Sequence, residues 1–430
     1  MFNTKPFQTP YQLKLPASKT NNPYNFHKMK ETLSPPTSST VMRVSSIDIL
    51  RALTMILMIF VNDLWSLKDI PAWLEHVERG VDGIGLADVV FPAFLFIVGL
   101  SMPFSIDARR KKGDTDWQLV KHVLVRTIAL LVMGVFLVNG ETYNANATGM
   151  PRYLWNPLCC LSFILIWNNY PKTAKKTWVY AAKAVGIITL LILAYVYRGG
   201  EDENIRLFGP QWWGILGLIG WAYLASGLIT VFARNNFVIL LSGWIFFAVL
   251  SMLSHAKLIP GIFSFIPDPI RGGTLAGLTM GGVLTAFIFQ YYRNRKDNMR
   301  LTIVLALSAV LLIILSVLTR PYWGLAKLGA TPAWLFLCSA FTILTFILIY
   351  WIADVKNKAN WFNIFRPAGT DTLLCYLIPY FAYATTRMLG IHLPDAILVG
   401  GIGLVKSFLF AMLCAVITGW VSKLGVRLKL

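Results

Sequence analysis

Long apolar stretches recur along almost the whole chain after residue 46, and they constrain the fold more than any other feature. The hydrocarbon core of a bilayer is about 30 Å thick, so a helix that crosses it needs roughly 20 mainly apolar residues. The 430 residues are 56% hydrophobic and only 14% charged, which does not suit a water-soluble surface. The sequence therefore predicts an all-α fold, a polytopic transmembrane helix bundle.

Twelve stretches have the length and composition of membrane spans, and ten is the lower estimate because the fourth and twelfth are the weakest. They cover residues 47–67, 86–106, 119–140, 152–168, 177–197, 212–233, 237–255, 273–292, 300–319, 331–352, 368–388 and 397–422.

Charges in the connecting loops predict the orientation of the bundle. Basic residues follow the even-numbered stretches, as in the run Arg109, Arg110, Lys111 and Lys112, whereas acidic residues such as Glu141 follow odd-numbered ones. The positive-inside rule then puts both termini in the cytoplasm. We expect residues 1–44, which are polar and lysine-containing, to form a disordered basic cytoplasmic tail, and residues 45–430 to form a single transmembrane domain.

The net charge of +19 does not indicate a nucleic-acid partner, because the basic residues lie in alternate loops of a membrane protein. The expected partners include the lipid bilayer, with a homodimer left open. The five cysteines all lie inside apolar stretches without metal-ligand spacing, so we interpret them as packing residues and expect no metal site.

The first two stretches and the loop between them hold the candidate functional residues. Asp48, Arg51 and Asn62 fall on one face of the first helix, where they either fix packing at the inner rim or line a polar path across the membrane. His76, between Glu75 and Glu78 in the outer loop, is either a solvated surface residue or a base or nucleophile.

Two carboxylates flank that loop and could support such chemistry. Asp63 ends the first stretch, and Asp88 begins the second, where it could also simply cap the first helical turn. Elsewhere, glycines at helical spacing in RGGTLAGLTMGG and GILGLIG favour close helix packing. Trp212 and Trp213 in GPQWWG are typical of an interfacial aromatic belt, with a sugar-stacking platform as the alternative.

The segments SIDILRAL, FVN, a loop histidine and ADVVFPAFLFIVGLS together resemble the heparan-alpha-glucosaminide N-acetyltransferase family and its bacterial relatives, a transmembrane acyltransferase group. The resemblance is strongest over residues 46–106 and continues more weakly through KLGATPAWLFLCSA and FRPAGTDTLLCYLIPY. It implies an integral, multi-pass protein of a bacterial inner membrane.

The resemblance also implies a reaction in which cytoplasmic acetyl-CoA donates an acetyl group to the amine of a glucosamine-type sugar on the far side. The expected acceptor is an amino sugar or an oligosaccharide. His76 matches the active histidine and Asn62 the asparagine that assists it, while Arg51 and Asp48 match the start of the same helix, where we expect acetyl-CoA to bind. Because acetyl-CoA and the sugar must meet within the bundle, we expect the outer loop to fold inward and bring His76 toward Asn62.

Two other classes of function stay open at the level of sequence. A transporter of N-acetylglucosamine or related sugars would have a midplane site between related halves, but the chain shows no clear internal repeat. A scaffolding membrane protein would leave the polar face of the first helix unexplained.

Overall fold

The computed structural model describes residues 44–201 and 203–428, and the regular elements of this part of the chain are helical, without a β-strand. All of the predicted cytoplasmic tail except residue 44 lies outside the described residues. Twelve long helices follow one another: α1 (Ser45–Asp63), α2 (Leu86–Arg110), α3 (Asp116–Asn139), α4 (Arg152–Trp167), α5 (Lys176–Val196), α6 (Gly214–Ala233), α7 (Phe237–His255), α8 (Thr274–Asn294), α9 (Asn298–Trp323), α10 (Pro332–Tyr350), α11 (Thr372–Met388) and α12 (Gly400–Lys423).

Short helical pieces occupy several of the connections. They are the α-helical turns Ala145–Thr148, Asp268–Arg271 and Arg366–Thr370, the 3₁₀ turns Leu64–Ser66, Ala72–Leu74, Gly261–Phe265, Ala359–Phe365 and Asp395–Ile397, and a π-helical turn, Trp351–Val355, that extends α10.

Nine of the long helices in the described part of the chain are long and apolar enough to cross a bilayer: α2, α3, α5 to α10 and α12. The protein is an integral membrane protein built from helices. The remaining long helices, α1, α4 and α11, have 19, 16 and 17 residues and lie where spans are predicted. The full count of twelve spans and the cytoplasmic location of both termini stay predictions.

Glycines bring neighbouring helices into close contact, as their spacing predicts. A side chain at Gly134 of α3 would collide with the backbone of Gly217 in α6, and one at Gly282 of α8 would collide with the Phe96 carbonyl of α2. These contacts hold α3 against α6 and α2 against α8. Small residues allow such an approach because packing between helices in lipid depends on close van der Waals contact.

Several helix termini are capped by nearby side chains. Thr115 caps α3 in a reciprocal pair with Gln118, and Thr331 caps α10, whose first residue is a proline. At the start of α2, Asp88 accepts a hydrogen bond from the Gly85 backbone N–H, so the predicted capping role of this carboxylate is present. The five cysteines are buried in helices, which agrees with their interpretation as packing residues.

Candidate active site

A cavity of about 1540 Å³ opens at one end of the bundle. Its lining comes from the last turns of α1, α3, α7 and α11, from the first turns of α2, α4, α6, α8 and α10, and from the loops between them. We call this end of the bundle the outer end, because the loop charges predict that it is noncytoplasmic, and we call the cavity the outer cavity. Asn62 and His76 both line it.

The His76 imidazole is fixed by Asp88. Its Nδ1 lies 2.8 Å from Oδ1 of Asp88, whose other oxygen accepts hydrogen bonds from the backbone N–H groups of Val77 and Gly85, each at 3.0 Å. The Asp88 side chain is 2% exposed, whereas that of His76 is 45% exposed. Because a carboxylate only accepts hydrogen bonds, Nδ1 carries the proton of a neutral ring, and the lone pair is then on Nε2.

Lys327, from the loop between α9 and α10, lies against the same ring. Its Nζ is 3.1 Å from Nδ1 and 3.3 Å from Nε2 of His76, and 4.0 Å from Oδ1 of Asp88. Burial lowers the pKa of Lys327 from its ordinary value, and the nearby Asp88 charge partly opposes that shift.

Hydrogen bonds between the α1–α2 loop and the segment that joins α9 to α10 stabilise this arrangement. Both oxygens of Asp82 lie 3.1 Å from Nε of Arg320, and Oδ1 accepts a hydrogen bond from the Leu325 backbone N–H at 2.7 Å. The Gly83 N–H donates back to the Leu325 carbonyl. The Leu325 hydrogen bond is the main cause of a lowered pKa at Asp82, and Arg320 adds to it. The loop that carries His76 is thereby attached to the loop that carries Lys327.

The end of α1 is anchored by a buried charged network beside Asn62. The carboxylate of Asp63, 3% exposed, accepts hydrogen bonds from Tyr383 at 2.8 Å, from Lys406 at 2.8 Å and from Ser407 at 2.6 Å. Three helices, α1, α11 and α12, meet in this network. Charged groups at membrane depth require such partners, and here they fix the position from which Asn62 faces the outer cavity.

A second, smaller cavity of about 360 Å³, the inner cavity, lies toward the other end of the bundle. Arg51 and Arg126 line it, and Ile215 and Tyr376 line both cavities. The Arg51 guanidinium donates to the Gly369 carbonyl at 3.2 Å, to Ser101 at 2.5 Å and to Asp48 at 3.1 Å. The sequence-predicted pair of Asp48 and Arg51 is therefore formed.

Comparison with known proteins shows the family of this chain. A model described as "Domain of unknown function (DUF5009)" matches residues 43–257, which is half of the chain. The chain belongs to this family. Human heparan-alpha-glucosaminide N-acetyltransferase is 24% identical over 383 residues, which cover 78% of this chain and 52% of the human protein.

The mouse protein of the same name is 30% identical over 124 residues, which cover 28% of this chain and 16% of the mouse protein. The chain therefore spans about half the length of the human relative. The resemblance drawn from the first two spans is confirmed as a distant relationship between this DUF5009 protein and those acetyltransferases.

The structure brings three of the sequence-predicted site residues to the outer cavity or its wall. Asn62 and His76 line the cavity, and Asp88 hydrogen-bonds to His76. Among the described residues no hydrogen bond joins His76 to Asn62; the two side chains share the cavity instead. Asp63 lies next to Asn62 in the chain, but its carboxylate contacts α11 and α12.

Sequence reasoning missed two lysines in this DUF5009 protein. Lys327 contacts a histidine 251 residues earlier in the chain, and Lys406 contacts an aspartate 343 residues earlier. Each of these lysines has an unusual position in the sequence that could have indicated a role. Lys327 is a basic residue in an outer loop, against the positive-inside trend, and Lys406 is a lone charge within an apolar stretch, where an ionised group needs a partner.

Proposed function

We propose that this protein is a transmembrane N-acetyltransferase that moves an acetyl group from cytoplasmic acetyl-CoA to the amine of a glucosamine-type sugar on the outer side. The observation that carries the proposal is the His76 and Asp88 pair on the wall of an outer cavity that shares Ile215 and Tyr376 with an inner cavity. The similarity to heparan-alpha-glucosaminide N-acetyltransferase supports the same reaction class. We place the protein in a bacterial inner membrane.

In the proposed step His76 acts on the acceptor amine. As the amine nitrogen attacks the thioester carbonyl, Nε2 of His76 takes the amine proton, while Asp88 holds the ring in the required tautomer. Lys327 and the Asn62 amide are the donors available to the oxygen that gains negative charge. The C–S bond then breaks and the acetyl group stays on nitrogen. The CoA thiolate takes up the proton that His76 accepted from the amine, and the thiol leaves toward the inner cavity.

A covalent variant of this step uses the same residues. Nε2 of His76 would accept the acetyl group itself, release the CoA thiolate, and pass the acetyl group to the amine afterwards. Both routes need the lone pair on Nε2, which the Asp88 contact provides.

The inner cavity fits one arm of acetyl-CoA. Its volume of about 360 Å³ suits a narrow chain such as pantetheine, while the charged nucleotide would stay at the inner rim. The Nε of Arg126 is buried there without a hydrogen-bond partner among the described residues, so it is a free donor for a carbonyl or phosphate oxygen. Arg51 and Asp48 would support this site by holding its wall.

The test uses purified protein in liposomes supplied with labelled acetyl-CoA and glucosamine. We expect labelled N-acetylglucosamine from the wild type and a loss of at least about 100-fold in His76→Ala, because general-base catalysis contributes roughly that much. His392→Ala, a change at an exposed outer histidine that does not line the cavity, is the matched control and should keep the wild-type rate. Acetylation that persists in His76→Ala would reject the site, and uptake of intact sugar without acetylation would favour transport.

A further inference from the structure

Lys327 begins a tight turn, residues 327–330, which we call the lysine turn. The Ala330 N–H donates to the Lys327 carbonyl at 2.8 Å, and Ala330 has a positive φ of 49° although it is not a glycine. Such a backbone conformation costs free energy and persists only where the surroundings impose it. The position of the Lys327 ammonium beside His76 therefore depends on what the lysine turn contacts.

His255, the last residue of α7, contacts the lysine turn through its ring. Its Nε2 lies 2.9 Å from the carbonyl oxygen of Gly329, and its Nδ1 lies 2.8 Å from the carbonyl oxygen of Ser251, one helical turn earlier in α7. A carbonyl oxygen only accepts hydrogen bonds, so both ring nitrogens must carry hydrogen for both bonds to form. The arrangement therefore requires the charged, imidazolium form of His255.

The end of α7 favours this charge on His255. The ring belongs to the last turn of the helix, where unsatisfied carbonyl groups give a partial negative charge. The other charged residues nearby are Lys257, which follows α7, and the ion pair of Asp268 and Arg271 in the short helix before α8. The first turns of α6, α8 and α10, which pack against α7, contain no charged residue.

A neutral hydrogen bond holds the other end of the lysine turn. The Thr274 hydroxyl, at the first residue of α8, donates to the Ala330 carbonyl at 2.6 Å and lies 2.6 Å from the Ser251 hydroxyl. His255 and Thr274 thus bond to successive carbonyl groups of the lysine turn. The bond from His255 is the stronger of the two, because a charged donor roughly doubles the strength of a hydrogen bond.

We propose that His255 is a positioning residue for Lys327. Its charged ring bonds the Gly329 carbonyl to the end of α7 and so keeps Nζ of Lys327 against the ring of His76. Without that bond the lysine turn relaxes, and the ammonium moves away from the oxygen that it stabilises in the reaction. The inference rests on the proposed function, but the position of Lys327 can be measured without it.

The first measurement follows the position of Lys327 by amine labelling of the full-length protein in nanodiscs, with a water-soluble acetylating reagent and mass spectrometry. The Lys327 side chain is 17% exposed and is protected by its contacts. We expect His255→Gln, which keeps a donor but not the charge, to raise its labelling rate about tenfold, the factor that one hydrogen bond to a charged group is worth.

Lys406 is the internal reference for this labelling. Its side chain is 20% exposed, but it is paired with Asp63 and does not belong to the lysine turn. Its labelling rate should be the same in His255→Gln as in the wild type. An equal rise at both lysines would indicate a general loosening of the fold and overturn the proposal, as would an unchanged rate at Lys327.

The second measurement is acetyl transfer from acetyl-CoA to glucosamine in liposomes. We expect His255→Gln to lower kcat about tenfold, and His255→Arg, which keeps the charge and two N–H donors, to recover most of that loss. In a Lys327→Met background His255→Gln should cause no further loss, because the two residues act through one contact. His392→Gln, at an exposed outer histidine outside the cavity lining, should keep the wild-type rate. Equal losses in the two backgrounds would overturn the proposal.

The two measurements separate this inference from the proposed function. Faster labelling of Lys327 in His255→Gln, with no acetyl transfer by any variant, would support the positioning role and reject the enzyme. Acetyl transfer by the wild type, with unchanged labelling of Lys327 in His255→Gln, would support the enzyme and overturn the positioning role.

Discussion

Lys327 lies beside the ring of His76, which already bonds to the Asp88 carboxylate, and it provides a cationic donor there. Its Nζ lies within 3.3 Å of both ring nitrogens of His76, and burial lowers its pKa below the ordinary value of 10.5. If the charged form of Lys327 stabilises the oxygen of the attacked carbonyl, the acetyl-transfer rate is highest at pH values below the lowered pKa of Lys327. The rate then falls as the pH rises through that pKa, at a lower pH than an ordinary lysine would give.

The corresponding prediction compares Lys327→Arg with the wild type. Arginine stays charged throughout the accessible range, so we expect the alkaline fall in kcat to move to higher pH, with the maximum rate reduced by the changed geometry. The measurement is the pH profile of acetyl transfer in liposomes. Lys257→Arg, at an exposed outer lysine, is the control; an unchanged alkaline limb in Lys327→Arg would contradict the role of the charge.

Single residues were predictable from sequence only where they are near one another in the chain. His76 and Asp88 are 12 residues apart in one hairpin, and both could be singled out, although their hydrogen bond could not. Lys327 lies 251 residues from His76, and no periodicity in the sequence relates two loops at that separation. Its place at the ring depends on the packing of α10 against α2, which the sequence does not specify.

At the scale of whole helices, the contact between α2 and α8 depends on absent side chains. A Cβ at Gly282 would meet the Phe96 carbonyl and lie 2.7 Å from the Leu100 backbone nitrogen, so the helices would have to separate. We expect Gly282→Ala to destabilise the protein by about 1–3 kcal/mol, the usual cost of overpacking, and to lower its Tm in detergent.

Gly401→Ala is the matched control for that measurement. Gly401 lies in the first turn of α12 and has open space where a Cβ would be, so alanine should leave Tm unchanged or slightly raised. A Tm for Gly282→Ala equal to that of Gly401→Ala would show that the α2–α8 contact tolerates a wider separation.

The positions of helices were predictable to within a few residues, and the deviations have local causes. The first apolar stretch predicts a span to residue 67, but α1 ends at Asp63, whose carboxylate bonds to residues of α11 and α12. The eleventh predicts a span from residue 368, but α11 starts at Thr372, because Gly369 packs on the Asp48 carbonyl in a separate short helix. Both deviations arise from tertiary contacts that apolar length does not report.

For the molecule as a whole, apolar length and loop charge predicted a helical membrane protein. They also predicted that the ends of odd-numbered helices and the starts of even-numbered ones lie on the same side of the membrane. The outer cavity is lined by that set of helix ends. Sequence could not predict that a second cavity approaches from the other side, or that Ile215 and Tyr376 lie between the two, because cavities are set by how side chains from distant helices fill space.

Under the proposed function, this arrangement predicts that the acetyl group passes between the cavities at Ile215, which lines both. With labelled acetyl-CoA sealed inside liposomes and glucosamine outside, the wild type should form labelled N-acetylglucosamine outside and leave free CoA inside. Ile215→Phe adds bulk at the junction, and we expect it to reduce transfer at least about tenfold, since packed interiors accommodate added volume poorly. Ile187→Phe, at an exposed position of α5, should retain the wild-type rate. Full transfer by Ile215→Phe would mean that the acetyl group takes another path.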